Sequence, residues 1–321
     1  MLNLNYQLLQ EFNPEEHKDT QEPSGSFLKN LNPYVYVIIV LAVIFFLYQF
    51  IGGALALAAG DFDVENPNVR ITRIILAFGQ YMLILAPTIF FARFQTFDLK
   101  SVFRLNYPKP ALIFLAVLGI VLIQPFLQGY VYLQEQALNG IPFVKETIKP
   151  VKDVFDLFEK TTLKIVHAHS AVEFIVVVFV IAVTPAICEE ALFRGFVLTN
   201  LAKAAKKAGS AIFLSAFLFS IYHFQPFNIV PLIILGWYLG FVVYYANSIW
   251  VGIICHFLNN FFASYALYIY GKDEFETPNL TGDGLMNTII AALISLALFA
   301  STIILYYRLR ENGLRGGAAG E

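Results

Sequence analysis

Residues 171–202 read AVEFIVVVFVIAVTPAICEEALFRGFVLTNLA. Its only charged residues are Glu173, Glu189, Glu190 and Arg194. About 20 mostly apolar residues span a bilayer as a helix, so the block is long enough to cross with residues to spare. Three of its charges lie together within an apolar run. An ionisable side chain inside a membrane is costly and marks a functional site by default. This one stretch therefore proposes both a membrane fold and a place for chemistry.

The rest of the chain agrees. Of its 321 residues, 58% are apolar and only 14% charged, with mean hydropathy +0.66. Soluble domains are roughly 25% charged. The deficit excludes disorder over most of the chain and argues against a water-soluble enzyme. Net charge is −2, which gives no basis for nucleic-acid binding. The two cysteines, Cys188 and Cys255, sit in apolar blocks and make neither a disulfide framework nor a Cys-x-x-Cys metal pattern; both read as small apolar fillers.

Further apolar blocks lie at 34–59, 74–92, 110–132, 209–224, 227–246, 249–270 and 285–307. With 171–202 they predict an all-α bundle of about eight transmembrane helices over 34–310, the fifth of them short. Residues 1–33 read as a polar mobile tail and 311–321 as a short polar one. With both termini cytoplasmic, twelve Lys and Arg fall inside and eight outside, which favours that orientation. The loop 133–170 contains Val151, Val154, Phe155 and Phe158 at helical spacing, with Lys152, Asp153, Asp156, Glu159 and Lys160 elsewhere on the wheel. It predicts an amphipathic helix, lying on the bilayer or packed on the bundle. Gly236 and Gly240 form a small-xxx-small pattern suited to close helix packing. Asn279-Leu-Thr281 is a glycosylation sequon, meaningful only in a eukaryotic secretory membrane.

Three apolar helices carry the main polar clusters: Glu189-Glu190 with Arg194, Phe219 with His223, and His256 with Asn259 and Asn260. Glu190 and Arg194, four apart, share a face and can pair. Glu189 points about 100° away from Glu190. A carboxylate there can take and return a proton, and His223 can act with it. His256 and Asn260, also four apart, can face one cavity and offer N–H donors to an oxyanion. At 1.5 Å per residue, Glu189, His223 and Asn260 lie about 20, 22 and 18 Å from the assigned cytoplasmic ends, within a helical turn of each other. Pro185, four residues before Glu189, predicts a kink that opens space there. Each feature alone also has a structural reading, as a buried ion pair or a helix-packing hydrogen bond. Asn259 reads as a packing contact, and Gln80, Gln124 and Gln128 as interhelical hydrogen bonders. Spacing does not choose which glutamate is the base.

These residues, in this order, resemble the CPBP family of CAAX prenyl endopeptidases and bacteriocin-processing enzymes, also called the Abi family. Its pattern is Glu-Glu-x-x-x-Arg, then Phe-x-x-x-His, then His-x-x-x-Asn, here Glu189-Glu190…Arg194, Phe219…His223 and His256…Asn260. The resemblance covers roughly 170–265. It implies an intramembrane glutamic endopeptidase without a cofactor, acting on membrane-associated or lipidated peptides or proteins. It further implies that Glu189 and His223 activate water, His256 and Asn260 stabilise the oxyanion, Glu190 and Arg194 hold the site, and Phe219 shapes its helix face.

Three other readings compete. Glu189, His223 and His256 could be zinc ligands with water as the fourth, although there is no His-Glu-x-x-His. Buried carboxylates and histidines also serve ion-coupled carriers, but no inverted repeat is visible. A scaffold could use the fold without chemistry. The short loops and polar tail suggest a bacterial plasma membrane.

Overall fold

The computed structural model describes residues 31–59, 67–96, 98–271 and 283–318. Among them the longer helices are α1 (Pro33–Ala58), α2 (Val69–Gln95), α3 (Pro110–Gly140), α4 (Pro142–Val166), α5 (Ala171–Ala204), α6 (Ala208–Tyr222), α7 (Ile229–Ala246), α8 (Ile249–Tyr270) and α9 (Asp283–Ala318). Seven of the described helices are long and apolar enough to cross a membrane. The eighth apolar helix, α6, has 15 residues and is the short block read from the sequence. The protein is an all-α polytopic membrane bundle. Large apolar side chains such as Phe78, Phe114, Val172 and Ile175 remain exposed on its flanks, as a lipid-facing surface requires.

Helix starts follow their local chemistry. Asn32, Asn68 and Ser170 accept from backbone N–H groups in the first turns of α1, α2 and α5. Pro33, Pro110 and Pro142 occupy opening positions, where no N–H is needed. The N-terminal segment 1–30 and the sequon at 279–281 lie outside the described residues. Helix α9 continues to Ala318, into the segment read as a C-terminal tail.

Glycines set the closest approaches. A Cβ on Gly236 would lie 3.2 Å from the Ala216 backbone, and one on Gly240 would lie 3.2 Å from Ile212. The small-xxx-small pattern thus seats α7 on α6. Gly119 of α3 faces Tyr238 of α7, whose hydroxyl donates to the Ala116 carbonyl at 2.6 Å. At the far end of α7, Asn247 takes a left-handed conformation (φ 47°). Its side chain accepts from Arg104, so the loop after the single turn Leu99–Val102 is tied to the α7–α8 connection.

The amphipathic helix is α4. Of its four spaced apolar residues, Phe155 turns toward the bundle and meets the Phe227 ring at 6.0 Å. Val151, Val154 and Phe158 stay exposed. Lys152 pairs with Glu135 of α3 at 3.1 Å, and Arg73 of α2 donates to the Ile165 and His167 carbonyls at its end. The helix is therefore docked on the bundle and also presents an apolar stripe outward.

The kink predicted at Pro185 takes another form. Helix α5 remains continuous, with a π-helical turn at Val178–Val183 before the proline and a second at Ala191–Val197 after Glu190. Such turns insert an extra residue and often mark functional sites. The side chain of Thr184 follows the wider turn, donating to the Phe179 carbonyl at 2.9 Å.

Gly119→Ala should lower the melting temperature in detergent, because the new methyl overlaps the Tyr238 hydroxyl. Overpacking of this kind typically costs about 1–3 kcal/mol. A melting temperature equal to the native protein's would contradict this account of the α3–α7 contact.

Candidate active site

The three polar clusters meet. Glu189, Phe219, His223, His256, Asn259 and Asn260 line one cavity of about 220 Å³, whose remaining lining is Ile120, Leu232, Leu235 and Leu239. The aliphatic walls lower the local dielectric and strengthen every polar interaction inside. Those walls come from α3 and α7, and periodicity gave no reason to single them out.

The two adjacent glutamates occupy different environments. Glu190 and Arg194 are 0% and 1% exposed and pair at 2.7 Å. The same Glu190 oxygen accepts from Nδ1 of His256 at 2.9 Å. Arg194 also donates to the Gly236 carbonyl at 3.2 Å and lies 4.4 Å from the Phe219 ring centroid. Gly252, one turn before His256, makes room for this arrangement: a Cβ there would sit 2.6 Å from Glu190 Oε2. The sequence signal for Gly252 was its i, i+4 relation to His256.

Glu189 instead opens on the cavity. Its side chain is 16% exposed and that of His223 is 23% exposed, with Oε2 and Nε2 3.5 Å apart. His223 sits at the C-terminal end of α6, where the last helical carbonyls lack backbone partners. Its Nδ1 lies 2.8 Å from one of them, the Phe219 carbonyl. A carbonyl only accepts, so Nδ1 carries the proton and Nε2 faces Glu189. Two lone pairs cannot face each other at that spacing without repulsion. A shared proton or a bridging water suits the gap.

Asn260 is held by a relay of amides. Gln124 donates to Asn259 at 3.0 Å, Asn259 donates to Asn260 at 3.1 Å, and Asn260 donates to the Ile181 carbonyl at 3.0 Å. Ile181 lies four residues before Pro185, which has no N–H to offer its carbonyl. The asparagine therefore compensates for the proline. An amide nitrogen has two hydrogens, and the second is free to serve the cavity that Asn260 lines. Gln124, read from sequence as an interhelical hydrogen bonder, and Asn259, read as a packing contact, are the supports of this relay. Cys188 and Cys255 are fully buried in the core.

Residues 171–262 match the family of type II CAAX prenyl endopeptidase Rce1-like proteins. This segment carries all three clusters, and the match agrees with the resemblance to CAAX proteases read from the sequence. Nothing among curated proteins or solved structures matches the chain.

Arg194→Ala should reduce folded yield and melting temperature as well as any activity. It strands Glu190 in the core, and breaking a buried pair this way costs about 3–5 kcal/mol. A variant that inserts and melts like the native protein would show that the pair is dispensable for folding.

Proposed function

We propose that the chain is an intramembrane endopeptidase in which Glu189 and His223 activate the attacking water. The observation that carries this reading is the pairing of a cavity-exposed carboxylate with an imidazole 3.5 Å away, beside the Asn260 amide. The family match supports the reaction class. Its substrates are membrane-associated or lipidated peptides or proteins, reached from the bilayer, with both chain termini cytoplasmic in a bacterial plasma membrane.

A water between Glu189 and His223 gives up a proton to Glu189 as its oxygen attacks the scissile carbonyl. The resulting oxyanion takes the second N–H of Asn260 and a proton-bearing Nε2 of His256. Because Nδ1 of His256 is committed to Glu190, Nε2 donates as part of an imidazolium, and the charges of that ring and of Arg194 are offset by Glu190 and the oxyanion together. The proton collected by Glu189 passes, directly or through His223, to the departing amide nitrogen as the C–N bond breaks. Atoms and charges balance without a cofactor. The alternative reading is a zinc peptidase with Glu189, His223 and His256 as ligands and water as the fourth.

The membrane and secreted peptidomes of cells making native or Glu189→Gln protein at matched expression test the proposal. Cleavage products should appear with the native protein alone, and identical peptidomes would refute Glu189 as the base. Once a substrate is known, Asn260→Ala should lower kcat by about 10²–10³-fold, the loss typical of removing one oxyanion donor. A modest drop in melting temperature should accompany it, because the Ile181 carbonyl loses its donor. An unchanged kcat would remove Asn260 from the oxyanion site.

A further inference from the structure

Among the described residues three arginines are buried: Arg73, Arg104 and Arg194. Two of them have partners that account for them. Arg194 pairs with Glu190 at 2.7 Å. Arg73 gives Nε and Nη2, the two donors of one guanidinium edge, to the Ile165 and His167 carbonyls at 2.8 and 2.7 Å. Arg104 differs. It is 7% exposed, and its Nη1 donates to the Asn247 side chain at 3.1 Å. Its guanidinium carbon lies 5.1 Å from the Tyr244 ring centroid. Its Nε is buried with no hydrogen-bond partner. Among the described residues no carboxylate lies within ion-pairing distance of it, and only Nη1 of the guanidinium is hydrogen-bonded. A ring face and the end of α7 supply partial negative charge, not a full one. A buried guanidinium normally has an anion or a full set of acceptors. The Nε and Nη2 edge left over here is the one that fits two oxygens of a single oxyanion.

The backbone holds this side chain in a fixed place. Arg104 takes a left-handed conformation (φ 49°), which residues other than glycine rarely adopt. Its carbonyl accepts from the Ile249 N–H at 3.0 Å, and the Ser248 hydroxyl donates to the Asn106 carbonyl at 2.6 Å. The α2–α3 connection is thus pinned to the α7–α8 turn, with the guanidinium between them. The same connection rests on α5. A Cβ on Gly195 would meet the Phe103 ring at 2.5 Å, and Thr199 donates to the Val102 carbonyl at 3.0 Å. Lys203 follows one turn later on that face of α5 and is exposed.

Depth says what kind of anion fits. Helix α2 ends at Gln95, α5 at Ala204 and α7 at Ala246, so Arg104 lies where these spans leave the bilayer. Tyr107, in the same connection, is 95% exposed, and Trp250, in the first turn of α8, is 42% exposed. Exposed Trp and Tyr at the ends of spans mark the headgroup level. Basic pockets between helix ends at this level suit anionic headgroups.

We propose that Arg104 is the centre of a phosphate-binding site, occupied by the headgroup phosphate of an anionic phospholipid. One phosphate oxygen accepts from Nη2. A second accepts from Nε, which is enclosed until the headgroup is seated. Asn247 holds Nη1 on the opposite edge, and Lys203 adds a second positive charge. The bound headgroup completes the clasp between the α2–α3 connection and the α7–α8 turn.

Thermal unfolding of the full chain in detergent tests the site without needing activity, with phosphatidylglycerol, phosphatidylcholine or inorganic phosphate added in turn. Phosphatidylglycerol should raise the melting temperature with dose, and the other two should not. Native mass spectrometry should show phosphatidylglycerol retained on the native protein. Its apparent affinity should fall about tenfold in Arg104→Gln, as expected for losing a hydrogen bond to a charged group. Lys109→Gln removes an equal charge further along the same connection and should leave binding unchanged. If Arg104→Gln does not fold, Lys203→Gln carries the test, and its affinity should also fall. Equal phosphatidylglycerol binding by the native protein and by every folded variant of Arg104 and Lys203 would overturn the proposal. An equal loss in Lys109→Gln would overturn it too, by assigning binding to net charge. Protection by inorganic phosphate as strong as that by phosphatidylglycerol would uphold the phosphate site and overturn the lipid as its occupant.

Discussion

A carboxylate with no exposure, inside an apolar bundle, governs the arrangement of everything around it. Taking Glu190 and Arg194 out of water costs several kcal/mol per ion unless each finds good partners. The structure supplies them from four helices. Arg194 comes from the next turn of α5, His256 from α8, the Gly236 carbonyl from α7 and the Phe219 ring from α6. Each partner constrains a helix in depth and rotation. Gly252 and Gly236 follow from the same requirement, since side chains there would push the backbone away from the buried charge or from α6.

Adjacent residues on one helix can then take opposite duties. Glu190 is enclosed, with Arg194 and His256 both bonded to its Oε1, which suits a fixed charge. Glu189 is turned about 100° away and reaches the cavity, which suits proton transfer. His223 gains its orientation from the end of α6: the helix stops at the site, and a terminal carbonyl is available to hold the ring. A longer α6 would have used that carbonyl in its own backbone. The shortness of this helix, visible already in the length of the apolar block, thus helps to set the geometry of the candidate site.

Proline and asparagine are coupled in the same way. Pro185 deprives a carbonyl of its usual donor in the middle of a membrane, where backbone groups need partners. Asn260 meets that need and is itself aimed by Asn259 and Gln124. The π-helical turns on either side of residues 184–190 set that segment's rotation without breaking α5. Structural repair and a polar amide in the cavity lining are therefore the work of one side chain.

What the sequence by itself determined follows from distances along a helix. Apolar block lengths define the spans, and i, i+4 spacing defines the Glu190–Arg194 pair and the shared cavity face of His256 and Asn260. Equal depth brought Glu189, His223 and Asn260 to one level. Three short motifs in order pointed to the protease family. Tertiary structure alone decided which glutamate meets the cavity, that His256 bonds to Glu190, and that Phe155 of α4 turns inward while Val151, Val154 and Phe158 do not. The reason is physical. Neighbours within a helix are set by a fixed rise and rotation, so they can be counted. Neighbours between helices depend on tilt, register and π-helical insertions, which are settled jointly by packing and by the partners that buried charges require.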